Sequence, residues 1–455
     1  MFKKVLIANR GEIACRVMRA CRELGIETVA IYSRADQDSL HVSLADQAIC
    51  VGEASNTDSY LNLANVLMAV EVSGAEAVHP GYGYFSENAR FAEALESTIG
   101  AKFIGPPVKA IEMMGDKAKA KQAAIAADCP VVPGSEEAVA SESEALKVAD
   151  DIGYPVLLKA VAGGGGRGIR RVDGPEDLAR QWKMAQAEAQ ASFGNGDLLV
   201  EKCVVEPRHI EIQVLGDEHG SLIHLGEREC SIQNVRHQKI VEEAPCAVLD
   251  WEMRERIGAA AVRVAKSVGY ANAGTVEFLL DRDGHFFFLE MNTRLQVEHP
   301  VTEQVTGLDL VHLQLSIAAG EPLPFGQSDV RLRGHSIEAR ITAQDPDADF
   351  APSTGRITRW LAPGGRGVRM DTHAYCGFTV SPFYDPMIAK LIVTAEDRPA
   401  AVAKLRAALH EFDVEGVRTN IPFLRRLCAD PSYEAGEVDV SFVQRFLMEE
   451  APSGV

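Results

Sequence analysis

The stretch that most constrains this chain is 275–298, TVEFLLDRDGHFFFLEMNTRLQVE. Two apolar runs, 276–280 and 286–289, flank an Asp-Arg-Asp-Gly cluster at 281–284. Apolar runs separated by Asp and Gly spell a β-hairpin. A two-residue turn at Asp283-Gly284 pairs Arg282 with His285, Leu279 with Phe288 and Glu277 with Glu290. Carboxylates directly opposite on one face repel each other unless something positive sits between them. Hard divalent cations such as Mg2+ take one or two carboxylates and complete their shell with substrate phosphates.

If the second strand continues, alternation of sides places Glu290, Asn292, Arg294, Gln296 and Glu298 on one face. Met291, Thr293, Leu295 and Val297 take the other. An amphipathic strand with a solvated polar face would show the same pattern. A row of acid, amide, cation, amide and acid beside a carboxylate pair reads instead as a site floor, with a metal at one end and an anion or general base further along.

At 455 residues the chain has room for two to four domains with ample core. Its net charge of −19 argues against a nucleic-acid partner, because such binding is dominated by cations meeting phosphates. The nine cysteines are scattered singly with no CxxC pair, which suggests reduced thiols in the cytosol, without a disulfide framework or zinc site. No apolar run has signal-peptide or membrane-spanning character, so a soluble, cytoplasmic protein without membrane contact is expected.

The N-terminal 105 residues repeat a βαβ pattern: strands at 4–8, 28–32, 77–79 and 102–104, with a helix over 12–23. This predicts a doubly wound parallel sheet. The dinucleotide fingerprint GxGxxG is absent, which disfavours a nicotinamide dehydrogenase. The loop 79–88, HPGYGYFSEN, reads equally as a tight strand-to-helix connection or as a substrate-proximal element. Further on, the strand 154–160 carries Lys159 near its end and leads into four glycines at 163–166, followed by Arg167. Such a run lets backbone N–H groups approach a phosphate chain. Strands are also expected at 198–203, with Glu201 and Lys202, at 210–215, with His209, Glu211 and Gln213 on one face, and at 333–343, presenting Glu338 and Arg340. The segment 227–243 is densely polar, 355–380 is β-rich, and helices close the chain at 399–412 and 441–449.

Several of these stretches together match one family: IANRGEIA (7–14), HPGYGYFSEN (79–88), MGDK (114–117), GGGGRG (163–168), PRHIEIQV (207–214), HQKIVEEAP (237–245), EMNTRLQVEHPVTE (290–303) and GVRTNIPFL (416–424). On them the chain resembles biotin carboxylase, the ATP-grasp subunit or domain of biotin-dependent carboxylases. The resemblance implies a mixed α/β and α+β fold. Its parts are a Rossmann-like N-terminal domain over 1–130, an ATP-grasp lid over 131–203, and an ATP-grasp core with a β-rich C-terminal region over 204–455.

By the same resemblance, Lys117 and Lys159 fall where ATP phosphates bind and Gly165-Gly166 where the lid loop closes over them. Glu201, Lys202, Cys203 and Val204 match the adenine-binding hinge, and His209, Gln233, His237 and Leu279 match further nucleotide contacts. Glu277, Glu290 and Asn292 match the ligands of Mg2+ or Mn2+. Bicarbonate would be held by Lys239, Arg294, Gln296 and the Val297 backbone, with Glu298 as its base; Arg340 would stabilise the biotin enolate. A salt bridge from Arg340 to Glu338, two residues away on the same strand face, is the alternative for that residue.

The implied reaction is ATP- and bicarbonate-dependent carboxylation of biotin on a carrier protein, as the first half-reaction of an acyl-CoA carboxylase, acetyl- or propionyl-CoA. Alternatives are the same step for pyruvate or urea, or a non-catalytic nucleotide-binding protein. No Met-Lys-Met sequence occurs, so the biotin carrier and the carboxyltransferase are expected on partner proteins, and a homodimer is expected. The chain departs from the family in carrying one extra residue between Ser231 and Lys239, which bears on the register of Gln233. Ala162 replaces the first of five glycines, and Gln344 stands where Glu is common.

Overall fold

The computed structural model describes residues 1–135, 137–161, 168–234 and 238–450. Near the N-terminus, β1 (Lys4–Ile7), β2 (Glu27–Ser33), β3 (Gln47–Gly52), β4 (Ala77–His79) and β5 (Lys102–Phe103) form a parallel sheet ordered β3-β2-β1-β4-β5. Parallel strands are covered on both faces and need continuous apolar sequence; Val5, Leu6 and Ile7 are fully buried. Strand order reverses between β1 and β4, which opens a crevice at their carboxyl ends. The loop after β1 leads into α1 (Gly11–Glu23). The Asn9 amide stitches the two loops together, donating bonds of 2.7 Å to the Pro80 and Tyr82 carbonyls.

Helix α2 (Lys117–Ala126) starts at Asp116, whose carboxylate accepts from the Ala118 and Lys119 N–H groups. A small antiparallel sheet follows, with β6 (Val156–Ala160) between β7 (Ile169–Val172) and β8 (Leu198–Lys202). Helices α3 (Glu142–Ile152) and α4 (Pro175–Phe193) cover it around Leu158, Leu178, Trp182 and Val200.

The largest sheet is antiparallel. It comprises β9 (Arg208–Gly216), β10 (Leu222–Gln233), β11 (Lys239–Ala244), β12 (Asn272–Leu280), β13 (Phe286–Asn292), β14 (His335–Thr342), β15 (Val368–Thr372) and β16 (Met387–Ala395), in the order β13-β12-β9-β10-β11-β14-β16-β15. The period of two separates its faces. Ile210, Ile212 and Val214 pack on α5 (Trp251–Ser267), while His209, Glu211 and Gln213 turn to the opposite side. Helix α6 (His299–Thr306) follows the hairpin, and α7 (Arg398–Glu411) packs with Ile337, Ala339 and Ile341 of β14. Among the described residues no helix is long and apolar enough to cross a membrane.

The opening hairpin forms, with two corrections. Its loop holds three residues, Arg282 to Gly284: Asp281 N–H donates to the His285 carbonyl, and Leu280 pairs with Phe286. That loop shifts the register, so Leu279 meets Phe287 rather than Phe288. A bulge at Leu289 then restores it, and Glu277 still faces Glu290. The Asp281 carboxylate favours the longer loop by accepting from the Asp283 and His285 N–H groups. The second correction is that β13 ends at Asn292, and residues 293–298 run irregularly into α6. Gly284 adopts φ 82°. Gly284→Ala is therefore expected to cost about 1–2 kcal/mol, read from the denaturation midpoint.

Candidate active site

The polar face of the large sheet, the β1 and β4 loops and the small sheet enclose a cleft of about 1650 Å3. Val132, Leu157, Leu199, Leu279 and Phe288 give it an apolar wall, and Lys117 and Lys159 also line it. Its lining also includes the row Glu290, Asn292, Arg294, Gln296 and Glu298. These side chains reach one cleft although the strand stops at Asn292, because the irregular segment 293–298 is pinned from several sides. Gln296 donates to Glu277 at 2.8 Å, Lys390 donates to the Val297 carbonyl at 2.9 Å, and Leu295 is buried in the core beneath.

Lys239 is the hub. Its ammonium lies 2.7 Å from Glu211, 2.7 Å from Glu298 and 3.1 Å from Glu277. Burial disfavours that charge, but Cys230 and the three acids around it outweigh burial and hold the lysine protonated. Burial would likewise raise the Glu298 carboxyl; Lys239, then Arg340 and Arg228, instead hold it well below the usual carboxylate range. Arg340 is not paired with Glu338. Its guanidinium meets Glu242 at 2.6 Å and Glu298 at 3.0 Å, because Glu242 lies on the adjacent strand and Glu298 projects from the turn before α6.

The carboxylate pair suits a divalent cation. Burial opposes the Glu277 charge, yet Lys239 and His209, whose Nε2 stands 2.9 Å away, keep it ionised. Burial, reinforced by Glu277 across the ladder, pushes Glu290 up. Among the described residues Glu290 accepts no hydrogen bond, which leaves its oxygens available to a cation, whereas Glu277 also meets Lys239, His209, Asn292 and Gln296. The Asn292 amide donates to Glu277 at 2.8 Å, which places its oxygen near Arg294, 3.1 Å away.

Lys159 binds Glu201, and Lys121 approaches the same carboxylate at 3.5 Å. Lys202 lines the cleft but its ammonium is spent on the Gly153 and Tyr154 carbonyls, at 2.9 Å each. Cys203 N–H donates to the Pro155 carbonyl, whereas Val204 lines the cleft with no backbone acceptor for its N–H among the described residues. Gln233 donates to the Cys230 carbonyl at 2.9 Å and approaches His209 at 3.3 Å. Where the sequence carries its extra residue the ladder shifts register between Ile232, opposite Val241, and Gln233, opposite Lys239, and Asn234 ties to Gln238 through three bonds of 2.8–3.0 Å. Gly165, Gly166 and His237 lie outside the described residues.

Three family models match the chain in succession: biotin carboxylase N-terminal domain over residues 1–111, the ATP-binding domain of the carbamoyl-phosphate synthase L chain over 116–325, and biotin carboxylase C-terminal domain over 338–445. A biotin carboxylase from Nostoc sp. is 53% identical over 97% of this chain and 99% of its own. The chain belongs to the biotin carboxylase family. The propionyl-CoA carboxylase alpha chain of Ruegeria pomeroyi is 49% identical, covering 100% of this chain and 69% of that one. The biotin carboxylase domain dimer of Hydrogenobacter thermophilus 2-oxoglutarate carboxylase, solved with MgADP, ADP and bicarbonate, superposes with a TM-score of 0.91 at 50% identity over 98% of each chain.

As a biotin carboxylase the chain also carries site residues that sequence reasoning passed over. Glu87, from the loop after β4, accepts from Thr293 N–H at 3.1 Å and from Arg294 at 2.9 Å. The 79–88 loop is thus both a connection, with Asn88 capping the next helix, and a wall of the cleft through Tyr82 and Tyr84. Fully buried Arg228 and Glu211 lie beneath the floor, and Lys390 reaches Glu12 at 3.2 Å. Glu211 shares a strand face with His209 and Gln213 by alternation, but the others have no local pattern that marks them. Arg228, Glu211, Lys390 and Glu12 are charges held out of water, whereas Glu87 is exposed and is marked only by its bonds to Thr293 and Arg294 from another loop.

Proposed function

We propose that this protein carboxylates biotin borne by a carrier protein, spending ATP and bicarbonate through carboxyphosphate. The observation that supports this best is the convergence of Glu298, Lys239, Arg294, Gln296 and Arg340 in one cleft that also holds an apolar slot and two phosphate-reach lysines.

In this reading the apolar wall takes the adenine, with the free Val204 N–H as its donor, and Lys117 and Lys159 meet the phosphates. The lid glycines Gly165 and Gly166, with His209, Gln233 and His237, complete the nucleotide contacts. Glu277 and Glu290 would hold Mg2+, joined by Asn292 once its amide oxygen turns from Arg294 toward Glu277, and the ion would neutralise charge on the phosphates. Arg294, with Gln296, Lys239 and the Val297 N–H, orients bicarbonate; the guanidinium fork matches a planar anion. Glu298 removes the bicarbonate proton, and the resulting oxygen attacks the γ-phosphate and displaces ADP. Carboxyphosphate then splits to CO2 and phosphate, and that phosphate takes the N1′ proton of biotin. Arg340, a fixed cation on the wall of the cleft, stabilises the biotin enolate that captures CO2.

We place the functional units at 1–130, 131–203 and 204–455, in a homodimer that works with a biotin carrier and a separate carboxyltransferase in the cytoplasm. For the final acceptor we propose an acyl-CoA, supported by the propionyl-CoA relative; the 2-oxoglutarate relative supports a 2-oxo acid as second reading.

Phosphate release from Mg-ATP and bicarbonate, with and without free biotin, tests the central step. Biotin-stimulated release that requires bicarbonate is expected. ATP hydrolysis indifferent to both would refute the proposal.

A further inference from the structure

Behind Arg340 lies an acid that the reaction above does not use. Glu338 sits two residues earlier on β14, on the site-facing side, and the ladder sets it directly opposite Glu242 of β11. Both are fully buried. Opposed residues in an antiparallel pair have Cβ atoms roughly 4.5–5.5 Å apart. Among the described residues, neither Glu338 oxygen nor Glu242 Oε2 has a hydrogen-bond partner. Two carboxylates this close and out of water do not both ionise.

The surroundings offer Glu338 no uncommitted cation among the described residues. Arg340 is taken by Glu242 and Glu298. On the other flanking strand, β16, Ile392 faces Glu338 and Lys390 faces Arg340; the Lys390 ammonium goes to Val297 and Glu12. Helix α6 contributes His299, which burial and then Lys390 keep neutral. From the β4 loop comes Tyr82, whose hydroxyl donates to Glu12 and which burial keeps protonated. The reverse face of β14 presents only Ile337, Ala339 and Ile341.

We propose that Glu338 and Glu242 hold one proton between them, and that this uncharged carboxyl keeps Arg340 electropositive toward the cleft. Arg340 already answers two carboxylates. When Glu298 takes the bicarbonate proton, one remains and the cation can meet a new anion. Were Glu338 also ionised, an acid would stay in excess and repel that anion. Glu338 is thus a positioning residue acting through Arg340, and this last link rests on the role of Arg340 proposed above. The direction of titration agrees. Burial pushes Glu338 well up, Lys390 and Arg340 opposing and Glu242 and Glu298 reinforcing. Burial likewise pushes Glu242 up to about 7 despite Arg340.

The proton can be read without substrates. A buried protonated carboxyl has its own C=O stretch in the infrared, and wild type at pH 7 should show one that Glu338→Gln lacks. A group raised in the folded state has its stabilising effect in full below the ordinary carboxyl value, about 4.3, and loses it as pH rises toward the folded value. The melting temperature of wild type should therefore fall relative to Glu338→Gln between pH 5 and pH 8. If Glu338→Gln does not fold, Glu338→Met serves, since an uncharged buried acid tolerates an apolar replacement. In turnover, the alkaline limb of biotin-stimulated phosphate release should move up by about one pH unit or more in the variant. A wild-type spectrum without that band overturns the shared proton. Loss of the band with an unmoved alkaline limb overturns the link to Arg340. The spectrum and melting curves stand whatever becomes of the proposed reaction.

Discussion

Glu298→Gln is expected to lower biotin-stimulated phosphate release about 10²–10⁴-fold, the range for loss of a general base. It should leave the nucleotide bound, because Lys117, Lys159 and the apolar wall are untouched. The fold should survive as well. Lys239 keeps Glu211 and Glu277, and Arg340 keeps Glu242, so no cation is stranded. The resting carboxylate is a poor base, since Lys239 at 2.7 Å and Arg340 at 3.0 Å hold its pKa below the usual range. Bicarbonate and phosphate entering the cleft compete for those same cations, and proton affinity returns to Glu298 as they are drawn off. A depressed carboxyl stays ionised as pH falls until the medium passes below its folded value. The free-enzyme profile of kcat/KM should therefore show no inflection from Glu298 above about pH 4. A variant that retains biotin-stimulated turnover would remove Glu298 from the chemistry.

Four strands of the parallel sheet were legible as short apolar runs, whereas β3, QAICVG and largely exposed, was missed; the facing of Glu277 and Glu290 was legible because charge at fixed spacing is visible in a hairpin. That register was reached through a shorter loop than the real one, with a bulge at Leu289 making up the difference. Neither departure alters the apolar pattern, so neither could be read from it. The row from Glu290 to Glu298 was grouped rightly on a wrong backbone, since alternation past Asn292 is supplied by tertiary pins such as Lys390 on Val297. Neighbourhood in sequence offered Glu338 as the alternative partner of Arg340, while its partners Glu242 and Glu298 come from elements 98 and 42 residues away. Long-range pairing of this kind has no local signature, and Glu87 was missed for the same reason.

Arg228→Met is expected to cost about 3–5 kcal/mol of stability, the penalty for breaking a buried pair by removing one partner. Arg228 is 0% exposed and spends all of its donors: on Glu211 at 2.5 Å, Gln213 at 2.7 Å, Thr302 at 3.0 Å, Thr275 at 3.0 Å and Gln296 at 2.8 Å. These acceptors belong to β9, β12, α6 and the segment bearing Glu298, so one guanidinium ties the sheet to the site floor. Methionine fills the space but leaves Glu211 with Lys239 alone and strands the amide and hydroxyl oxygens, each costing about 1–3 kcal/mol where no water replaces the bond. Arg228→Lys should rescue only part, because an ammonium keeps the charge without the planar fork. The apparent melting temperature should fall in the order wild type, lysine, methionine. Turnover should fall further than stability explains, since Gln296 is held by Arg228 on one side and Glu277 on the other. Below the melting transition the bicarbonate KM should rise while nucleotide binding is retained. An unchanged melting temperature in the methionine variant would mean that the buried network is not what fixes the floor of the site.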